Sequence, residues 1–407
     1  MGTVAALTRI FYRLPPAGEP VIIPGYDTGV TDADAVFAPY SACFYGSATS
    51  ALAASLVAAV ARTDTSTPEV LLPAYGCPAL VSAVLFAGAR PRLVDLEPDR
   101  PWMDLDALRS ALGRHTAAVV AVDLFGIPER YAAIREVLAD TGVVLIQDSA
   151  QALPPPNDSG WAGDYVILSF GRGKPVSLLH GGAVLAQEEN LLCALPRPPE
   201  AGARRTHGSL VSRARLYNLL SSAWLYWLPA GLPFLGLGQT HYRPLAAIEA
   251  ADPELMEWLP INLRAHWRRN ESHQLAIQAI LGDWANACIV DLPQACGWEG
   301  ANFRLLRYPL LVCDARVRER LFRCCARRGL GASAMYPLTL PRVAGLEQIF
   351  AGVSCPQADS FAKRIMTLPV HSRVRPSDIQ TMRECFADAG IGTRVVDPKR
   401  ISSNATF

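Results

Sequence analysis

The sequence predicts an α/β protein: a large domain built on a mostly parallel sheet, followed by a smaller α+β domain. Three observations carry this. Between about Tyr40 and Gln187, short apolar β-branched runs alternate with amphipathic stretches of helical length, the pattern of parallel strands joined by crossover helices. After Gln187 the alternation stops at a Pro-, Gly- and Arg-rich stretch, residues 196–205. From Arg304 onward a second, shorter set of strand and helix patterns follows. A chain of 407 residues accommodates two or three domains. The pattern divides it into an N-terminal segment (1–39), a large domain (40–255) and a small domain with a preceding long helix (256–407).

The elements follow in order. Strands are expected at EVLLPAY (69–75), RPRLVDLE (90–97), AAVVAVDLFG (117–126), GVVLIQDSAQ (142–151), DYVILSFG (164–171) and GGAVLAQ (181–187), each a short run bounded by turn residues. Helices are expected at 49–61, 77–88 and 128–142, the last opening on Pro128 and closing on Gly142 as capping preferences require. Residues 216–242 contain no Lys, Arg, Asp or Glu. The run is long enough to span a bilayer, but Pro229, Pro233 and its glycines interrupt it. It reads first as a buried interface or active-site cover in an oligomer, with association to a membrane surface as the alternative. One long helix is expected over 261–281. The small domain follows in RYPLLVC, ARVRERLFRCCARRGLG and MTLPV, and the tail after Val396 is expected to fray.

Composition narrows the function. Lys and Arg number 38 against 37 Asp and Glu, a formal net charge of +1, so no basic surplus marks a nucleic-acid binder. Ten cysteines are scattered without a CxxC pair, which gives neither zinc-ligand spacing nor a disulfide framework and fits a reduced cytoplasm. The N-terminus lacks the basic start and long apolar core of a signal peptide. Lys174, Lys363 and Lys399 are the only lysines. Any lysine chemistry has three candidates.

Three stations carry chemistry, at the strand ends where open α/β sheets bind ligands. In CFYGSATSALAASL, Gly46 permits a tight turn, and Ser47, Ala48 and Thr49 bring small side chains and N–H groups to the positive end of a helix. That suits a phosphate, or is ordinary capping. In VVLIQDSAQAL, Asp148 ends an apolar strand, where it needs a cation to stay ionised, such as the protonated nitrogen of a pyridine cofactor, or else caps the next element. In SFGRGKP, Lys174 follows a buried strand with Ser169 five residues earlier. Burial disfavours the ammonium and frees an amine to attack a carbonyl. Because guanidinium cannot form a Schiff base, a lysine here in an arginine-rich chain points to a required primary amine. Lys363 reads as a helix-surface charge and Lys399 belongs to the tail. Arg172, beside the lysine, could grip a carboxylate or phosphate, or only a neighbouring loop.

In this order and spacing the stations resemble the DegT/DnrJ/EryC1/StrS aminotransferases, pyridoxal 5'-phosphate (PLP) enzymes of fold type I. GSATSAL, LLPAYGCPALVSAVLFAGARPRLVDLEPD, VDLFGIPERYAAI, VLIQDSAQAL and SFGRGKP with its HGG follow-up carry the resemblance, with a C-terminal echo in GLGASAMYPLTL and TLPVH. It implies a PLP-binding large domain in which Lys174 is the Schiff-base lysine and proton carrier and Asp148 keeps the pyridine nitrogen protonated. Gln151 would contact the ring's hydroxyl side, and Ser169 would join Ser47, Ala48 and Thr49 around the phosphate. Cys77 stands where many members place a ring over the cofactor face, with Tyr75 as an alternative cover. His180 replaces a common glutamate and becomes a candidate substrate-pocket group, as do Tyr336 and His371 from the small domain. Thr240, His241 and Tyr242 occupy the place of a motif that usually serves the neighbouring subunit's phosphate, in a homodimer with its active site at the subunit boundary.

The implied reaction moves an amino group from an amino acid, by family analogy L-glutamate, to a keto sugar carried on a nucleotide. The uncharged run at 216–242 leaves a lipid-linked or other apolar acceptor as an alternative. A PLP-dependent dehydratase or lyase is a second reading, weakened because the dehydratases are expected to carry histidine in place of Lys174. A cofactor-binding scaffold without turnover is a third.

Overall fold

A computed structural model describes residues 11–25, 35–154, 161–198, 207–232, 240–284, 288–298 and 304–391. The large domain is a seven-stranded sheet. Its strands are β1 (Ser41–Tyr45), β2 (Glu69–Pro73), β3 (Arg90–Val94), β4 (Thr116–Val122), β5 (Val144–Asp148), β6 (Tyr165–Ser169) and β7 (Gly182–Ala186), in the spatial order β1-β7-β6-β5-β4-β2-β3. Residues of β4, β5 and β7 are buried throughout, as expected of apolar, β-branched strands covered on both faces. All six strands anticipated from the sequence form. The N-terminal edge of the sheet is completed by β1, which the periodicity implied only through the turn that follows it.

The expectation of parallel strands needs one correction. β7 pairs antiparallel with both β6 and β1, so one strand runs against the other six. The β6–β7 connection, residues 170–181, is therefore a hairpin with no crossover helix, and Lys174 sits on it.

Between β1 and β2 runs α1 (Ala48–Val60), an alanine-rich helix whose residues from Ser50 to Ala59 are nearly all buried. Small side chains let it lie close against β6 and β7. α2 (Ala79–Phe86), α3 (Leu105–Ala111) and α4 (Tyr131–Val137) make the remaining crossovers. The last is shorter than the expected 128–142 because Arg130 and Leu138 already form its ends. α5 (Glu189–Cys193), α6 (His207–Leu220) and α7 (Trp227–Ala230) follow; the Pro-rich loop from 199 to 205, residues 233–239 of the uncharged run and the tail after Val396 lie outside the described residues.

The single helix expected over 261–281 is two helices, α8 (Pro253–Trp267) and α9 (Ser272–Trp284). Asn270 separates them, its side-chain oxygen accepting from the Ser272 N–H at 2.7 Å. The small domain then adds β8 (Ile289–Asp291), α10 (Leu292–Ala295), β9 (Arg307–Val312), α11 (Ala315–Arg327), α12 (Pro356–Arg364), β10 (Ile365–Pro369) and α13 (Pro376–Asp388). Its sheet is antiparallel in the order β10-β9-β8. Cys288 and Cys313, flanking β8 and β9, form a disulfide, a pairing that their scattered spacing did not announce. Among the described residues, no helix is long and apolar enough to cross a membrane.

The small domain meets the large one at the carboxyl edge of the sheet. Leu306 N–H donates to Phe125 O at 3.1 Å. Gly126 (φ +96°) keeps this seam closed, since a Cβ there would lie 3.1 Å from Arg304 O and 3.2 Å from Leu305 Cα.

Candidate active site

A cavity of about 300 Å³ opens at that edge. One wall is the start of α1. Ser47 adopts an extended backbone and caps the helix, its Oγ accepting from the Ser50 N–H at 3.0 Å. Ser47, Ala48 and Thr49 all line the cavity, as does Ser169 at the end of β6. The first residue of β7 makes the approach close: a Cβ on Gly182 would lie 2.5 Å from Ala48 N and 2.7 Å from Ala48 Cα. Gly181 N–H donates to Gly46 O at 2.9 Å and fixes the turn from below. The helix end thus presents N–H groups and hydroxyls to an anion-sized recess.

Lys174 and Asp148 face the same space. The hairpin that bears the lysine is laced at its base, Phe170 N–H donating to Gly181 O at 2.9 Å and Leu178 N–H to Phe170 O at 2.7 Å. Gly173, with φ +70°, turns the chain immediately before Lys174. Burial pushes the Lys174 amine below its ordinary value, opposed by the charges of Cys77 and Asp148. Burial raises the Asp148 carboxyl, partly offset by the Ala150 N–H, which donates to its Oδ1 at 2.9 Å, and by Lys174. Among the described residues no ion pair closes on Asp148. A buried carboxylate with one backbone donor is a poor acid site alone and a good partner for a cation brought by a ligand.

The third wall is aromatic and polar. Gln151 Oε1 accepts from the Phe125 N–H at 3.0 Å, and its Nε2 donates to Tyr336 Oη at 3.2 Å, so one side chain bridges the large and small domains. Tyr336, Gln151, Cys77 and His180 line the cavity. Tyr75 does not: it is fully buried, packing edge-on against Tyr336 and Phe361 with centroids 5.6 and 5.2 Å apart, and its Oη accepts from the Tyr336 N–H at 3.3 Å. The side chain facing the recess at this place is the thiol of Cys77, and Tyr75 supports the wall from behind.

His371 is also elsewhere. It is buried, its Nε2–H donating to Pro15 O at 2.8 Å while Nδ1 accepts from Arg373 N–H, and it holds the N-terminal segment rather than lining the cavity. Thr240, His241 and Tyr242 do not line this cavity, and Arg172 is exposed outside it.

Sequence reasoning passed over several lining groups. Leu52, Leu80, Val122 and Ile167 supply the apolar floor and are indistinguishable by pattern from other core residues. Below Asp148 lies a second buried carboxylate, Asp123, which accepts from Ser149 Oγ, from Tyr131 Oη, from Gln147 Nε2 at 3.0 Å and from Glu129 N–H at 3.1 Å. Burial raises Asp123 to about 6 despite these donors. Its signal was present in VDLFG, an acid closing an apolar strand next to that of Asp148.

Comparison with known proteins places these features. The model of the DegT/DnrJ/EryC1/StrS aminotransferase family matches residues 38–214, which hold the helix cap, both carboxylate strands and the lysine hairpin. Among solved structures, the chain is similar to DesV of S. venezuelae (TM-score 0.67, 20% identity, 95% of this chain and 93% of that one). It is also similar to Spr1654 of Streptococcus pneumoniae in its PLP form (TM-score 0.66, 18% identity, 93% and 98%). PseC of Helicobacter pylori, an aminotransferase involved in the biosynthesis of pseudoaminic acid, matches with TM-score 0.66 and 15% identity over 93% and 99%. At such identities the likeness is one of fold, and it extends through the small domain.

Proposed function

We propose, on the match of residues 38–214 to the model of the DegT/DnrJ/EryC1/StrS aminotransferase family, that the protein is a PLP-dependent sugar aminotransferase that takes its amino group from an amino acid, by default L-glutamate. The acceptor is a keto sugar, nucleotide-linked in this reading. The observation that carries the proposal is the convergence of Lys174, Asp148 and the capped start of α1 on one cavity.

The residues suit the cofactor in two respects. The recess at Ser47, Ala48, Thr49 and Ser169 offers donors to a phosphate, and Asp148 is a buried carboxylate in want of a cation. When bound, pyridoxal 5'-phosphate supplies an aldehyde for covalent capture by an amine and a ring that draws in the electron pair released at the substrate carbon. Lys174, its proton affinity lowered by burial, would hold the group through Nζ and would move a proton at the substrate carbon. Asp148 would favour a proton on the ring nitrogen. Gln151, anchored on Phe125 and Tyr336, would orient the ring's polar edge. Cys77 leaves more room over one face than an aromatic side chain would. The same reading makes the enzyme a homodimer.

Borohydride reduction followed by peptide mapping tests the assignment: Lys174 is expected to carry the reduced cofactor. Lys174→Ala is expected to lose that label and to lower amino transfer from L-glutamate by more than about a thousandfold, the scale for removing a group that forms the covalent link and moves the proton. A label on another lysine would overturn the assignment.

A further inference from the structure

The wall that joins the two domains is built around one buried amide. Gln151 is 3% exposed and lines the cavity. Its Oε1 accepts from the Phe125 N–H at 3.0 Å, and because a backbone N–H can only donate, the amide nitrogen must face the other way. That nitrogen carries two hydrogens. One goes to Tyr336 Oη at 3.2 Å, and Tyr336 lines the same cavity. Among the described residues no acceptor meets the second.

Both ends of this bridge hold backbone conformations that side chains rarely adopt. Phe125 (φ +64°) and Met335 (φ +55°), the residue before Tyr336, lie in the left-handed region without being glycine. Each is fixed by its neighbours. Phe125 O accepts from the Leu306 N–H at 3.1 Å. Met335 N–H donates to Ser333 Oγ at 3.0 Å, and Ser333 pairs in turn with Thr367 of β10, N–H to O at 3.0 Å and back at 2.7 Å. Past Tyr336, Leu340 N–H donates to Ala74 O at 2.9 Å, just beyond the end of β2. Residues 333–340 are therefore a strap between the two sheets, with the phenol near its middle. Rings close the other side: Phe361 lies 6.4 Å from Phe125 and 5.2 Å from Tyr75, and Tyr75 lies 5.6 Å from Tyr336. Strained backbone persists where its surroundings over-determine it, and such places cluster at working sites.

We infer that Tyr336 is a positioning residue: its hydroxyl oxygen holds the Gln151 amide so that the second N–H of Nε2 faces the hydroxyl side of the cofactor ring. The inference rests on the aminotransferase reading, which supplies the ring. Gln151 is the residue that touches the cofactor, and Tyr336 acts through it. Because the phenol belongs to the small domain, the seating of that domain sets the hydrogen bonding of a ring held by the large one.

A spectral pH titration of the holoenzyme tests this. A donor at the ring's hydroxyl oxygen withdraws charge that otherwise helps hold a proton on the nitrogen linked to Lys174, so losing the donor moves the titration of the visible band to higher pH. Tyr336→Phe keeps the ring against Tyr75 and removes only the hydroxyl. It is expected to raise the midpoint by about half to one pH unit, the scale of one net hydrogen bond. Gln151→Leu is expected to raise it at least as far. Adding Tyr336→Phe to Gln151→Leu is expected to move it further by less than about 0.3, because the phenol then has no amide to hold. Should Gln151→Leu fail to retain the cofactor, Gln151→Met closes the same cycle. An unmoved midpoint in Tyr336→Phe overturns the inference. Additive shifts overturn it too, since the phenol then meets the cofactor on its own. If the unaltered protein shows no Lys174-linked band, the aminotransferase reading itself falls and takes the inference with it, a result distinct from the other two.

Discussion

Glu129 is buried beside Asp123 and is raised to about 7 from an ordinary 4.5, chiefly by desolvation, although Met103 N–H and Arg130 N–H each donate to it at 2.9 Å. A carboxyl whose folded-state value lies above its unfolded one binds more protons when folded. Its contribution to stability is therefore fully present below about 4.5 and is lost as the pH rises through about 7. Glu129→Gln removes the titration, so the stability of this variant relative to the unaltered protein should improve with rising pH across that window. The limiting slope is about 1.4 kcal/mol per pH unit. Urea unfolding at several pH values checks it, and a pH-independent difference would refute it. At the same scale, the motifs at and just beyond the ends of β5 and β6 singled out Asp148, Gln151 and Lys174, and all three line the cavity. Tyr75 and His371 were not placed correctly, since a residue type does not reveal which way its ring turns.

The elements of the large domain were more legible than their directions. Apolar β-branched runs give strand positions, but β6 and β7 read alike whether the intervening stretch returns or crosses over. The hairpin is set by its own hydrogen bonds, between Phe170 and Gly181 and between Leu178 and Phe170. The split between α8 and α9 was likewise hidden, because polar residues at 268–271 sit in phase with a helical pattern and only the Asn270 cap interrupts it. Contact between α1 and β7 gives a test at this scale. Gly182→Ala places a methyl group against the backbone of Ala48 and Ser47, where no side chain can yield. A loss of about 1–3 kcal/mol is expected, with weaker retention of PLP measured by dialysis because the helix end must shift. Unchanged stability and retention would mean that the seam is looser than its distances.

Over the whole molecule, the first described residues tie the domains together. Tyr12 Oη donates to Asp378 at 2.7 Å, Leu14 N–H to Gly329 O at 2.8 Å, and Arg13 N–H to Ala223 O at 2.8 Å. Glu19 accepts from Ser372 and Arg269, and His371 donates to Pro15. The histidine is held neutral, lowered to about 4 from 6.5 by burial. Such a base contributes stability above pH 6.5 that is lost as the pH falls through about 4. Acid should therefore free residues 12–19 before the sheet unfolds. Hydrogen exchange should show their amides losing protection first, and His371→Gln should remove the acid step. Protection that persists below pH 4 in the unaltered protein would contradict this. The one reversed strand has a different implication. Since Lys174 arrives on an arm closed at its root, residues 170–181 form a cassette. Laboratory grafting of another arm between the same two anchors could alter the reach and neighbours of the amine without re-threading the sheet.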